Sequence, residues 1–434
     1  MNESIVARPT LSKVVAGSLI GTTIEWYDFF LYGTAAALVF NRLFFPEYSP
    51  LTGTLLAFAS YALGFVARPL GGIVFGHFGD LIGRKRLLML SLVFMGGSTC
   101  AIGLLPTYAE IGMLAPILLV VLRLIQGFAV GGEWGGAVLL VSEHSEAKSR
   151  GFWASWPQVG VPAGNVLAAA VLAIMSAVQN EANFMAWGWR IPFLLSVVLV
   201  AVGWWVRASV SESALFEGAQ TQEATIKAVA FPVAAVLRDK PGALGIGAGL
   251  RLGENISYYI LTTFSITFLT QISKEGRSVV LTALVAGAVA ECIAIPLFAL
   301  LSDNIGRRAV YAFGAVGLAV WVFVFFALLE TGNRSFIFLA VIPGMILHGA
   351  MYGPQAAFIA ELFPTKIRYS GASLAYHFTS IFAGSLAPII AIALYQKSHS
   401  ITPVAVYVAI ACLISCATAL ASRETRGIDL SNVR

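Results

Sequence analysis

Apolar runs of about 20 residues, the length a helix needs to cross a bilayer, begin near Val14, Thr52, Leu87, Gly112, Phe152, Gly188, Gly242, Val279, Ala309, Phe336, Tyr369 and Thr402. Short polar turns separate most of them. The pattern predicts an all-α membrane protein with twelve transmembrane helices. One break is longer: residues 209–241 carry Glu212, Glu217, Glu223, Lys227, Arg238, Asp239 and Lys240. The reading is therefore a six-helix bundle over 1–208, a cytoplasmic linker over 209–241, a second bundle over 242–421 and a cytoplasmic tail over 422–434.

Composition agrees. With 58% hydrophobic and 11% charged residues and a mean hydropathy of +0.83, an ordinary soluble domain is excluded. The 42 glycines lie in apolar runs without a fixed period, which excludes collagen. A net charge of +5 could suit a nucleic-acid partner, but the basic residues are spread over alternate loops. With the N-terminus inside, eighteen Lys and Arg fall in inner segments, six in outer ones and three within spans, out of 27. That bias predicts both termini in the cytoplasm. Arg8 and Lys13 precede a first helix that has acids and no small-residue cleavage site, so it reads as a retained helix. Trp187 and Trp189 near one end of the sixth helix, with Trp204 and Trp205 near the other, predict interfacial belts. Cys100, Cys292, Cys412 and Cys416 all sit in apolar segments, apart from histidine clusters. They predict packing roles, with no metal site and no cofactor.

An internal repeat divides the chain. FGHFGDLIGRKR, with Asp80, Gly83, Arg84 and Lys85, returns as FALLSDNIGRRA, with Asp303, Gly306, Arg307 and Arg308. Glu143 precedes Arg150 by seven residues, and Glu361 precedes Arg368 by seven. Two matches in the same order predict two bundles related by a parallel pseudo-two-fold.

Charges inside spans mark the candidate chemistry, because an ionised group facing lipid costs at least ~2.5 kcal/mol. Glu25 and Asp28 are three residues apart near the middle of the first helix, so both carboxyls should share one face. They are either a satisfied polar patch or a proton-carrying pair. Arg123 lies near mid-membrane in the fourth helix; its planar fork suits a carboxylate, from substrate or from a permanent pair with Glu25 or Asp28. Arg251 and Glu254 can pair with each other or meet substrate. Asn255, Tyr258 and Tyr259 follow, as donors suited to a small polyhydroxylated acid. Glu291 is a further buried acid. Gln158, Asn165, His348, Gln355, Tyr376 and His377 could complete a cavity, although an interhelical hydrogen bond explains each alone. No HExxH, paired-cysteine metal site or GxSxG is present, so no enzyme or catalytic residue is expected.

The whole chain resembles the major facilitator superfamily. Gly76 to Arg86 matches its signature after the second helix, and Arg123-Leu-Ile-Gln126-Gly127 followed by Gly131 looks like its fourth-helix motif. EWYDF in the first helix, Arg68-Pro69-Leu70-Gly71-Gly72, and Gly131-Gly132-Glu133-Trp134-Gly135-Gly136 resemble the metabolite:proton symporter family within it. FNRLFFP after the first helix and Arg251-Leu-Gly-Glu254 are most similar to its shikimate-carrying members, whereas the tenth helix looks more like other members. The resemblance implies a monomeric carrier in a bacterial inner membrane, importing a small carboxylate with protons by alternating access. Shikimate is the expected cargo; a dicarboxylate, citrate, an aromatic acid or a proline- or betaine-type osmolyte is the alternative, and a non-transporting sensor the alternative class. It implies proton coupling at Glu25, Asp28 and Glu133. Substrate contact would fall to Tyr32, Arg123, Gln126, Gln158, Arg251, Glu254, Asn255, Tyr258, His348 and Tyr376. An inner gate would comprise Arg68, Asp80, Arg84, Glu143, Arg150, Asp303, Arg307, Glu361 and Arg368. If exposed, each gate pair would contribute only about 0–1 kcal/mol.

Overall fold

The computed structural model describes residues 11–82, 84–131, 134–209, 232–364 and 367–430, nearly all of them helical. Among them, twelve long helical spans follow the apolar runs. The first is Leu11–Ala35, extended by a π-helical turn at Ala36–Phe40 and by Asn41–Leu43. Pro50–Ile82 and Arg84–Leu104 form the second and third. The fourth comprises Leu114–Val130 and Trp134–His144, and the fifth is Arg150–Val178. The sixth opens at Glu181–Asn183, passes a π turn at Phe184–Gly188 and runs over Arg190–Ser209. The seventh is Pro241–Tyr259, carried on by π turns at Ile260–Phe264 and Phe268–Ile272. Arg277–Ile305, Arg307–Glu330 and Arg334–Ala360 are the eighth to tenth. The eleventh joins Arg368–Ser380 to Ala387–Ser398 through a π turn at Ile381–Ser385, and the twelfth is Thr402–Ala421. Residues 210–231 of the expected linker lie outside the described residues; Pro232–Asp239 within it is a short helix.

Seven spans are long and apolar enough to cross a bilayer by themselves, and the sixth joins them as a pair bent by 43°. The third and fourth offer only the shorter apolar stretches Met89–Leu104 and Leu114–Val130. The first and seventh are diluted by charged side chains, Glu25 and Asp28 in one, Arg251 and Glu254 in the other. These charges are buried among helices while Val320, Leu297 and Ile293 face outward, an inside-out distribution suited to lipid.

The first span packs along the fifth within the N-terminal half, and the fifth packs along the eighth across the interface between halves. Glycines set the approach. A Cβ on Gly164 would lie 2.6 Å from the Tyr27 backbone nitrogen, and one on Gly127 would lie 2.0 Å from the Gly64 carbonyl. Small residues are what allow helices to close to this distance. One expectation is corrected: Trp189 is not an interfacial residue. It is fully buried, with its ring against Phe40, Phe44 and Phe193. The bend in the sixth span turns it inward, whereas Trp187, Trp204 and Trp205 are exposed.

Candidate functional site

Phe29 on the first span lies between two buried arginines. The Arg68 guanidinium is 4.3 Å from its ring centroid and that of Arg123 4.6 Å. Arg68 also stacks on Phe65 at 4.5 Å, and Arg123 on Tyr32 and Tyr61 at 4.5 and 4.6 Å. Such contacts contribute about 2 kcal/mol when desolvated, but they leave hydrogen-bond capacity unused. Arg123 donates from Nη1 to Gln126 Oε1, whose amide donates to Thr99 Oγ1 at 2.6 Å. Among the described residues, its Nε and Nη2, and Arg68 Nε, have no partner, and neither arginine has a carboxylate within 4.0 Å. A permanent pair of Arg123 with Glu25 or Asp28 is thus not what the structure shows. Glu25 and Asp28 are both buried. Asp28 points into the N-terminal half, where Oδ1 accepts from Ser196 of the sixth span at 2.5 Å.

The C-terminal half holds a continuous polar chain. Arg251 Nη1 is 2.5 Å from Glu254 Oε2 and donates to Gln355 Oε1 at 3.0 Å. Glu254 Oε1 is 3.2 Å from His348 Nε2, and His348 Nδ1 is 2.5 Å from Glu291 Oε1. Arg251 also lies 3.7 Å over the Tyr376 ring.

Between the halves, a cavity of about 10 Å³ is lined by Trp26, Val161, Arg251, Glu254, Asn255, Tyr258, Tyr259, His348 and Tyr352. That is room for roughly one water. Both ends are closed. On one side Gln271 of the seventh span donates to Thr54 Oγ1 at 2.8 Å and to the Ala37 carbonyl at 3.1 Å, and Arg277 meets Glu181 at 3.1 Å.

On the side where the tail lies, Asp303 of the eighth span accepts from the backbone N–H groups of Gly151 and Phe152, each at 2.9 Å. A carboxylate of one half thereby caps the N-terminus of a helix in the other, satisfying orphan donors and the helix dipole together. Arg307 holds Asp303 at 2.6 Å and Glu361 at 3.3 Å; Arg150 reaches Glu361 at 3.1 Å, and Arg368 reaches Glu143 at 3.3 Å. The tail completes this layer. Arg150 donates to the Ile428 carbonyl, Arg368 to that of Leu430, and Thr425 Oγ1 to Glu361 Oε2 at 2.6 Å. The expectation of weak exposed pairs is corrected for Arg307 with Asp303 and Glu361 and for Arg150 with Glu361, which are all buried, whereas Arg368 is buried but its partner Glu143 is exposed. Removing one partner from a buried pair costs about 3–5 kcal/mol.

Comparison with known proteins follows the same division. Residues 14–231 match the family described as Sugar (and other) transporter, and residues 251–431 match the Major Facilitator Superfamily. The Shikimate transporter of Escherichia coli is 43% identical over 431 residues, covering 98% of this chain and 97% of its own. The chain belongs to the major facilitator superfamily. The Proline/betaine transporter of Escherichia coli is 33% identical over 433 residues, with 97% and 85% covered. The solved proton:xylose symporter XylE, bound to 6-bromo-6-deoxy-D-glucose, shares the fold at a TM-score of 0.76 and 16% identity, covering 98% of both chains. This superfamily member is a multi-pass membrane transporter.

Within the transporter, the structure gathers Arg251, Glu254, Asn255, Tyr258 and His348 at the cavity, with Tyr376 behind Arg251. Arg123, Gln126 and Tyr32 form a separate group in the N-terminal half, Tyr32 bonding Ser60 Oγ at 2.6 Å; Gln158 is buried in the fifth span. Glu143, Arg150, Asp303, Arg307, Glu361 and Arg368 meet on the tail side. Arg68 does not join them; it lies at Phe29. Glu133 and the side chains of Asp80 and Arg84 lie outside the described residues. Sequence reasoning passed over Phe29, which carries no charge to mark it, and the partnership of Glu291 with His348, which spans 57 residues.

Proposed function

We propose that the chain is a proton-coupled importer of a small carboxylate, with shikimate as the substrate to test first. One observation carries this reading: Arg68 and Arg123 are buried without an acidic partner among the described residues, an arrangement that favours a bound anion. Arg68 adjoins the cavity through Trp26, 5.5 Å from its guanidinium, and Asn255 Oδ1 is an unpartnered acceptor on the cavity wall. A carboxylate and several hydroxyls would satisfy these groups, each of which costs about 1–3 kcal/mol while unmet. Glycine betaine, a zwitterion, also carries a carboxylate, but it would set a quaternary ammonium near the arginines and offers no hydroxyl to Asn255 Oδ1. The shikimate transporter's similarity over nearly the whole chain supports the choice of first substrate.

In this reading Asp28 takes a proton from outside, Arg123 engages the substrate carboxylate, and the loaded carrier opens toward the tail side, the cytoplasm. Substrate and proton can drive that change only through their differential affinity for the two states. The test is uptake of radiolabelled shikimate into proteoliposomes, with and without an inward proton gradient, against citrate, succinate, benzoate and glycine betaine as competitors. Gradient-dependent accumulation, suppressed by unlabelled shikimate and unaffected by betaine, is expected. Accumulation of betaine with no uptake of shikimate would contradict the reading.

A further inference from the structure

His348 is wholly buried on the tenth span, and each ring nitrogen faces a carboxylate: Nδ1 lies 2.5 Å from Glu291 Oε1, and Nε2 lies 3.2 Å from Glu254 Oε1. A neutral imidazole has one N–H and can donate to only one of them. Its other nitrogen would then set a lone pair against a carboxylate oxygen. One further proton, on the ring or on Glu291, resolves the conflict.

Charge leads to the same result. Arg251, Glu254 and Glu291 with a neutral ring leave one net negative charge sealed between helices; an added proton brings the sum to zero, the better state for a buried group. The other titratable neighbours are hydroxyls and thiols: Tyr258 and Tyr259 on the seventh span, Cys292 on the eighth, Tyr311 on the ninth, Tyr352 on the tenth, Tyr376 on the eleventh and Cys412 on the twelfth. The N-terminal half contributes Trp26 and Val161 to the cavity wall, and Asn165 donates to the Tyr258 hydroxyl at 3.2 Å. Arg68 of that half adjoins the cavity through Trp26, but among the described residues Glu254 and Glu291 pair only with Arg251 and His348.

Position links this chain to transport. Glu254 and His348 both line the central cavity, while Glu291 lies behind them and has one oxygen, Oε2, without a partner. We propose that Glu254, His348 and Glu291 form a second proton-binding site, in the C-terminal half and distinct from Asp28, loaded while the carrier is closed and unloaded when the cavity opens to water. A substrate carboxylate drawn to Arg251 would compete with Glu254 for that cation. Substrate occupancy would thereby alter how tightly the chain holds its proton. The inference rests on the symport reading, but its first test does not.

That test uses the full chain in lipid nanodiscs with ¹⁵N-labelled histidine and no substrate. His348→Gln assigns the His348 signals, and infrared difference spectra against Glu291→Gln follow the protonated carboxyl. At neutral pH we expect either two protonated ring nitrogens on His348 or a carboxyl C=O band that disappears in Glu291→Gln. A neutral ring together with an ionised Glu291 would overturn the proposal.

The second test uses shikimate as probe in proteoliposomes with the membrane potential clamped. Each coupled proton contributes about tenfold accumulation per pH unit. Glu291→Gln should lower the accumulation ratio about tenfold per unit imposed while shikimate exchange at equal pH persists. Accumulation equal to that of the unmodified chain would overturn the assignment. Should the unmodified chain show no gradient-driven shikimate uptake, the symport reading fails, and the spectroscopic result still decides whether the proton is held.

Discussion

At the scale of single residues, the arginines carry the argument. Arg123 is held by three aromatic rings and one amide, leaving two nitrogens for a ligand. Lysine keeps the charge but cannot form the planar stack or offer a forked donor pair. Arg123→Gln should reduce the initial rate of shikimate uptake at least about 100-fold, and Arg123→Lys should recover only part of it. A rate within twofold of the unmodified chain for Arg123→Gln would contradict the assignment. Gly151 offers a complementary test on the tail side. A Cβ there would lie 2.2 Å from Arg307 Nη1 and 2.7 Å from Asp303 Oδ1. Gly151→Ala should weaken the cap that Asp303 places on the fifth span, by about 0.5–2 kcal/mol. Spin-label distances across the two halves on the tail side should show a larger open population; an unchanged distribution would show that the cap does not hold the closed state. Both arginine and glycine were visible in the sequence as residue types. The partners were not: spacing along a helix fixes a face, and only packing decides which neighbour fills it. Asp28 shows this, sharing a turn with Glu25 as expected yet turning to Ser196 of the sixth span.

At the scale of elements, the least legible feature is the tail. The sequence marks residues 422–434 only as a tail, yet Glu424 caps the ninth span. Its carboxylate accepts from the backbone N–H groups of Arg307, Arg308, Thr425 and Arg426 at 2.9–3.2 Å. Gly306 makes this possible: its φ of 111° suits glycine, and a Cβ would lie 2.7 Å from Glu424 Oε2. Partial burial alone would raise the Glu424 carboxyl's pKa, but the donors of Arg307, Arg426, Arg308 and Thr425 hold it below its ordinary value. A lowered carboxylate pKa means docking energy that is present at neutral pH and lost only as pH falls through that lowered value. Glu424→Gln should undock the tail at neutral pH. With Ser422→Cys as reporter in a cysteine-free background, maleimide labelling should quicken at least about tenfold, as for loss of a charge-assisted bond of about 1.5–3 kcal/mol. Labelling at an unchanged rate would show that the tail is held by other contacts. The spans themselves were legible from length and hydropathy, and the repeated Asp-Gly-Arg turn announced the tail-side layer. The π turns in the first, sixth, seventh and eleventh spans carry no such sequence mark, because a single inserted residue leaves the apolar pattern almost unchanged.

At the scale of the molecule, the two halves are closed at both ends around a cavity too small for a metabolite. The twofold architecture was read directly from the repeat, but the chemistry is divided unequally between the halves. Among the described residues, Arg68 and Arg123 of the N-terminal half are buried without an acid within ion-pair distance, whereas in the C-terminal half Glu254 and Glu291 are joined through His348. Sequence could not reveal this asymmetry, since it depends on contacts between residues 57 to 104 positions apart. Functionally, an anion would bind toward the cations while protons occupy the acids, and only the fully loaded or empty molecule would pass readily through the closed state. The most direct measurement is proton movement on adding shikimate to de-energised proteoliposomes with no imposed gradient. The account predicts that the external medium turns alkaline as shikimate enters, and that Asp28→Asn reduces the change while shikimate exchange continues. Shikimate entry with no change in external pH would contradict it.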